Sequence, residues 1–141
     1  MQDSKFNSNL IFLPILFLLL GTASSDGDCG EFSTSHSYKR GQSGYLSLPF
    51  PVRTKVWRLE VFLDRNVTSL DIFEAKMILP RGGGVSREFV FVNEYWNGEQ
   101  KPGESLSLGY QAKFDGVVKP NFTTIILNKR ILCSPLDSWE G

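Results

Sequence analysis

The sequence has few of the cysteine and histidine residues that many catalytic sites and metal sites use. Its 141 residues include two cysteines and a single histidine, His36. A Ser-His-Asp triad could therefore form only through His36, and no nucleophile motif accompanies it. CxxC, HxxxH and calcium-loop patterns are also missing from the sequence. We therefore predict a chain without a metal, a cofactor or a catalytic site.

The sequence also lacks a net charge, since lysine plus arginine and aspartate plus glutamate each number 15. Nucleic acids and anionic membrane surfaces select proteins with a basic face. The balance argues against both partners and favours an uncharged ligand.

Acidic residues occur singly along the chain. Two carboxylates that face each other about 5 to 9.5 Å apart across a cleft can hydrolyse a glycosidic bond. The candidates are Asp64, Asp71, Glu74, Glu88, Glu94 and Glu104. Their scatter over loops and strand edges is typical of a solvated surface, and a stand-alone hydrolase is therefore the least favoured class.

Long apolar runs are absent apart from residues 10–20, LIFLPILFLLL. This run is too short to span a membrane and is typical of a signal peptide. Ala23 and Ser25 then fit the small-x-small pattern that signal peptidase reads. We predict a signal peptide over residues 1–25 and one secreted domain over residues 26–141, with no membrane anchor.

The two cysteines, Cys29 and Cys133, lie near the two ends of the predicted mature domain. In an oxidising compartment we expect them to form a disulfide that joins the first strand of a sandwich to the last. Asn66 and Asn121 each begin an acceptor sequon, NVT and NFT. Both are therefore predicted glycosylation sites in a secreted chain.

No segment has sustained helical spacing, whereas several alternate with the period typical of half-buried strands. The clearest is residues 57–63, WRLEVFL, which places Trp57 on the core face. Further strands are predicted at residues 45–51, 89–92, 105–110 and 123–127. Because Pro49 has no backbone N–H to donate, we expect the first of these to be an edge strand or to contain a bulge. Residues 71–79 fit either a strand or a helical turn.

Turn residues separate these strands. They occur at residues 80–84 (PRGGG), 97–98 (NG), 101–103 (KPG) and 115–116 (DG). Short strands divided in this way predict an all-β fold, an antiparallel β-sandwich of the immunoglobulin-like or jelly-roll type with a terminal disulfide.

Residues 95–110, YWNGEQKPGESLSLGY, resemble the signature of the family 2 carbohydrate-binding modules. That signature is a Trp-Asn-Gly turn, a short polar stretch ending in glycine, and an alternating strand closed by Gly-aromatic. Residues 57–62 are similar to the family's Trp-x-Leu-x-Phe strand, and residues 44–45 to its Gly-Phe. Cys29 and Cys133 match its terminal disulfide, so the resemblance covers nearly the whole mature domain.

The resemblance implies a β-sandwich that holds cellulose, chitin or xylan on a flat strip of exposed aromatic rings. Trp96 matches one ring of that strip, and Tyr38 falls where the first ring is expected. The middle ring aligns with about Asp71, which has no ring. Phe73, two residues further on the same strand face, is the candidate substitute.

The sequence thus predicts a non-catalytic, monomeric protein that binds a polysaccharide, with cellulose or chitin as the target. Asn97 and Gln100 are expected to add hydrogen bonds beside Trp96. Binding by stacking predicts a weak dependence on salt. The alternative is a secreted interaction or matrix domain that uses the same exposed rings to bind a protein. If Tyr38, Trp96 and one more ring lie coplanar on one face, polysaccharide binding is favoured, whereas a dispersed arrangement favours protein binding.

Overall fold

In the computed structural model, which describes residues 29–135, the chain forms nine β-strands and no helix within that range. They are β1 (His36–Tyr38), β2 (Gly41–Phe50), β3 (Arg58–Val67), β4 (Ser69–Ile72), β5 (Ala75–Leu79), β6 (Ser86–Asn93), β7 (Glu104–Lys113), β8 (Phe122–Leu127) and β9 (Arg130–Cys133). The predicted signal peptide lies outside the described residues. Within them, no helix is long and apolar enough to cross a membrane.

The strands form two sheets in which every pairing is antiparallel. One sheet has the order β1-β2-β7-β4 and the other the order β5-β6-β3-β8-β9. The predicted antiparallel β-sandwich is therefore confirmed.

Alternation along β3 builds one side of the core. Leu59, Val61 and Leu63 are buried, while the residues between them are partly exposed. Trp57, immediately before the strand, is 1% exposed and donates its indole N–H to the backbone oxygen of Asn97 at 2.9 Å. The expected core position of Trp57 is confirmed, and its one polar atom has a partner.

Strand β2 pairs with β7 along its whole length, from Gly41 opposite Lys113 to Phe50 opposite Glu104. On its other side, β1 pairs only with residues 41–43. Pro49 therefore lies in the half of β2 that β1 does not reach, where a missing backbone donor costs little. Strand β2 itself lies between β1 and β7, so the edge predicted from Pro49 holds only for this part of the strand and not for β2 as a whole.

Residues 71–79 belong to two strands, and the strand alternative is correct. Strand β4 lies in the four-stranded sheet and β5 in the five-stranded sheet. The turn between them consists of Phe73 and Glu74, and Glu74 has a positive φ of 65°. The chain thus passes from one sheet to the other immediately after Phe73.

Cys29 and Cys133 form the expected disulfide, which spans 104 residues of sequence. Both cysteines are buried. The bond joins the segment before β1 to the end of β9, so it ties the two sheets together.

Candidate functional site

The outward face of the four-stranded sheet carries the candidate site. Tyr45 on β2 lies opposite Gly109 on β7, and the backbone N–H of Phe73 donates to the Gly109 oxygen at 2.8 Å. Both rings point outward because their sequence neighbours, Leu46 and Ile72, fill the core. The three residues therefore form one row across β2, β7 and the turn that follows β4.

Gly109 lets the two rings lie close to the sheet. A Cβ atom built on Gly109 would lie 3.1 Å from Cδ2 of Phe73 and 3.6 Å from Cε1 of Tyr45. The side chains of Tyr45 and Phe73 are exposed, at 61% and 52% of their surface. The result is a shallow groove of about 550 Å³ with a glycine floor. Polar side chains also line it, namely those of Ser43, Ser107 and His36.

Tyr38 extends the same surface. Its ring covers Gly41, and its hydroxyl oxygen accepts a hydrogen bond from Nε2 of Gln111 at 2.6 Å. Gln111 follows Gly109 by two residues and therefore shares its face of β7. We call the surface formed by Tyr38, Tyr45, Phe73, Gly109 and Gln111 the ring face.

Trp96 lies in the turn after β6, on the other sheet. Its side chain is 57% exposed and meets the Tyr95 ring edge to face, with the ring centroids 5.1 Å apart. Nδ2 of Asn97 donates to the backbone oxygen of Glu74 at 2.7 Å. This bond brings the Trp96 turn beside the Phe73 turn, at the border of the ring face.

Asn97 and Gln100, expected to contact a glycan, point into the protein instead. They are 9% and 8% exposed. Oδ1 of Asn97 accepts from the Glu94 backbone N–H at 2.8 Å, and Nε2 of Gln100 donates to the Asn97 backbone oxygen at 3.0 Å. Because these groups already have partners, we assign both side chains the task of holding the turn.

Tyr45 was not predicted as a site residue. The signal was available in residues 45–48, YLSL, because Leu46 and Leu48 occupy one face of the strand and Tyr45 therefore occupies the other. The resemblance to a Gly-Phe pair drew attention to the position but assigned it no contact. Gly109 was missed as well, because its contacts with the Tyr45 and Phe73 rings bring together distant parts of the chain.

The acidic residues do not assemble a metal site, because no group of three or more His, Cys, Asp or Glu side chains in the part of the chain that the structure describes could hold an ion. Asp64 instead makes a structural contact at the start of β8. Its carboxylate accepts from the Asn121 backbone N–H at 3.0 Å and from Nε of Arg65 at 3.2 Å.

The two sequon asparagines are accessible. Asn66 lies on an exposed position of β3, and Asn121 is exposed just before β8. A glycan could reach either side chain, and their modification stays a prediction.

No family model matches the sequence, and no curated protein does. Among solved structures, the chain is similar to the chitin-binding domain of Chi18aC from Streptomyces coelicolor, with 20% identity, a TM-score of 0.48, and coverage of 70% of this chain and 88% of that one. It is also similar to the chitinase ChiA74 from Bacillus thuringiensis, with 20% identity and a TM-score of 0.46 over 65% of this chain. The match spans only 15% of that chitinase. Similarity at this level says nothing about what this chain binds.

Proposed function

We propose that this chain is a secreted, monomeric, non-catalytic domain that binds a β-linked polysaccharide on the ring face, with chitin or cellulose as the target. One observation carries the proposal. Two exposed rings, Tyr45 and Phe73, flank a residue without a side chain, Gly109, on the outer side of a sheet.

The chemistry of pyranose rings suits this arrangement. One face of such a ring presents C–H groups that are apolar and slightly positive, so an aromatic ring against it gains buried area and favourable electrostatics. Because Gly109 has no side chain, both rings lie close to the sheet and form a low aromatic surface on which a sugar can stack. Ser43, Ser107 and His36 line the same groove and can exchange hydrogen bonds with sugar hydroxyls.

The rings are also spread along the sheet. Tyr38 contacts Gln111, whereas Tyr45 and Phe73 flank Gly109, one pleat repeat away. That repeat is about 6.8 Å, twice the rise per residue of an antiparallel strand. Several sugars of one chain could therefore contact rings at once, and each contact would add to the affinity.

The test is a depletion assay on chitin, crystalline cellulose, amorphous cellulose and xylan. Wild type is compared with Tyr45→Ala, Phe73→Ala and Trp96→Ala. We expect at least one of the four polymers to remove wild type from solution, and Tyr45→Ala and Phe73→Ala each to weaken that binding by about fivefold or more. Because the binding is driven by stacking, moderate salt should change it little.

The matched control is Ile131→Ala on β9, which removes an exposed apolar side chain from the other sheet. It should bind as wild type does. If none of the four polymers depletes folded wild type, the proposal fails. If depletion is equal in wild type, Tyr45→Ala and Phe73→Ala, the glycan is not held on the ring face.

The alternative function, binding to a protein, uses the same rings as hot spots. Tyr38, Tyr45 and Phe73 share one surface, which favours the glycan because a polysaccharide chain needs several rings on a common surface. Trp96, expected in one plane with Tyr38, instead lies in the turn after β6, and this dispersed position favours the protein. A protein ligand would have its strongest anchor in the Tyr95–Trp96 pair, which projects from the neighbouring turn with Tyr95 93% exposed.

A further inference from the structure

A second groove, of about 510 Å³, adjoins Tyr38 and is rich in positive charge. Lys39 and Arg40, the two turn residues between β1 and β2, form one wall, and Lys119 from the loop between β7 and β8 lies across from them. Phe114 and Tyr38 supply apolar surface. No acidic side chain of the described residues lines this groove.

Within residues 29–135, the cations of this groove have no carboxylate partner. Arg53, Arg58 and Arg65 elsewhere in the domain pair with acids at 3.1, 3.7 and 3.2 Å. The exposed Asp115 lies between the lining residues Phe114 and Gly116 but makes no ion pair with these cations. The chain is neutral as a whole, whereas the lining of this groove is positively charged.

The groove is continuous with the ring face, because Tyr38 belongs to both. Its hydroxyl is bonded to Gln111 on the ring face, and its side chain also lines the groove. Lys113, two residues beyond Gln111 and exposed, lies opposite Gly41 and adds another cation to the border. A sugar stacked on Tyr38 would therefore place its substituents close to these cations.

We propose that this groove is a subsite for an anionic substituent, a carboxylate or a sulfate, on the glycan that the ring face holds. The inference rests on the proposed function and extends its substrate class to β-linked polysaccharides that also carry acidic groups. Arg40 offers a planar fork of donors that matches either anion, and Lys39 and Lys119 act as point charges. Because all three cations are exposed, salt screens their attraction for the anion.

The experiment compares polymers with the same β-linked backbone. The probes are unmodified amorphous cellulose, cellulose oxidised to carboxylates at C6, and sulfated cellulose. Wild type should bind at least one anionic polymer about threefold or more tightly than the neutral one. The preference should disappear in about 0.5 M salt, where the Debye length falls to about 4 Å. The two anionic arms show whether carboxylate or sulfate is preferred.

The variant is Arg40→Gln combined with Lys119→Gln, and its matched control is Lys76→Gln combined with Arg87→Gln. The control removes the same net charge from exposed positions on β5 and β6. The groove variant should lose the preference for the anionic polymer and keep its binding to neutral cellulose. The control should keep both, and thermal unfolding of each variant shows that it is folded.

The outcomes separate this inference from the proposed function. If wild type binds neutral and anionic polymers equally, or if the control loses as much as the groove variant, the subsite is refuted and the ring face stands. If wild type binds none of the three cellulose polymers, the subsite is refuted, and the proposed function fails as well only if chitin and xylan also leave wild type in solution.

Discussion

Gly109 is the residue whose lack of a side chain lets the Tyr45 and Phe73 rings lie close to the sheet. Its φ does not lie in the positive range, so a larger residue fits the backbone there. A Cβ would already lie 3.1 Å from Cδ2 of Phe73, which means that a branched side chain must displace one ring or both. The site therefore has a variant that disturbs the ring surface without removing either ring.

We expect Gly109→Leu to fold and to lose polysaccharide binding. Its free energy of unfolding should stay within about 1 kcal/mol of wild type, since the new side chain lies on an outward face of β7. Depletion assays and urea unfolding measure the two properties. Ser105→Leu is the control, because it places the same side chain on the same face of β7 four residues away. Undiminished binding of Gly109→Leu would show that the position of the two rings over Gly109 does not contribute to binding.

Asp64 gives a second prediction for a single residue. Burial raises the pKa of the Asp64 carboxyl, but hydrogen bonds from Arg65 and Asn121 outweigh this and hold the pKa below its ordinary value of 3.8. A lowered pKa in the folded state stabilises the fold above the ordinary pKa, and this stability is lost as the pH falls through the lowered value.

Melting temperatures of wild type and Asp64→Asn test the direction of this pH dependence. At pH 7 wild type should melt at the higher temperature, and the difference should shrink as the pH falls below 3.8. A difference that stayed constant down to pH about 2 would show that the carboxylate charge contributes nothing to the fold.

At the scale of the element, the turn after β6 is held by Asn97. Its Oδ1 accepts from the Glu94 N–H, and its Nδ2 donates to the Glu74 oxygen in the turn between β4 and β5. One side chain thus closes its own turn and connects it to the turn that carries Phe73. The position of Trp96 relative to the ring face depends on these two bonds.

Asn97→Ala should lower the free energy of unfolding by about 1 to 3 kcal/mol, because two backbone groups lose a buried partner. Asn97→Asp keeps the acceptor for Glu94 but places a buried carboxylate oxygen against the Glu74 carbonyl oxygen, so at neutral pH its loss should be at least as large as that of the alanine variant. Urea unfolding of the two variants checks the order. An alanine variant as stable as wild type would contradict the bracing role.

The strands that could be predicted from the sequence are those in which apolar and polar residues alternate clearly. Alternation revealed the strand at 57–63 and the buried Trp57, because each strand carries its own apolar pattern. Residues 71–79 lack a clear alternation, and this is why they stayed open between a strand and a helical turn. Their separation into β4 and β5 depends on pairing, because β4 pairs with β7, which is distant in sequence, and β5 pairs with the next strand, β6.

Individual side chains of the candidate site were harder to predict than the strands. The sequence indicated that Trp96 and Tyr38 are exposed, since a turn and a polar stretch surround them. It could not show that Asn97 and Gln100 point inward, because polar residues are typical of both a solvated turn and a turn braced by its own side chains. Only the contact of the Asn97 side chain with Glu74 and that of the Gln100 side chain with the Asn97 backbone oxygen distinguish the two cases.

At the scale of the whole molecule, net charge concealed the positive groove. The sum of charges is zero and suggested an uncharged ligand. Composition adds charges without their positions, whereas the fold collects Lys39, Arg40 and Lys119 around one groove and pairs other cations with acids. Chain neutrality therefore places no limit on local potential.

The disulfide is the basis for a prediction about the stability of the entire domain. Cys29 and Cys133 close a loop with a separation of 104 residues, and they link the segment before β1 to β9. In the chain-entropy model, a loop of about 100 residues contributes up to about 4.7 kcal/mol by restricting the unfolded chain. Removal of the bond should therefore affect stability far more than it affects the ring face.

We expect the double variant Cys29→Ala and Cys133→Ala to lose about 2 to 5 kcal/mol of unfolding free energy. Urea unfolding measures this loss, and reduced wild type should behave in the same way. Under conditions where the variant stays folded, its binding to the polysaccharide should equal that of wild type, since the ring face is built on β1, β2, β7 and the turn after β4, and neither cysteine belongs to it. Equal stability of the variant and wild type would contradict the role of the bond in restricting the unfolded chain. Lost binding in a folded variant would instead show that the bond fixes the relative position of the strands that carry the rings.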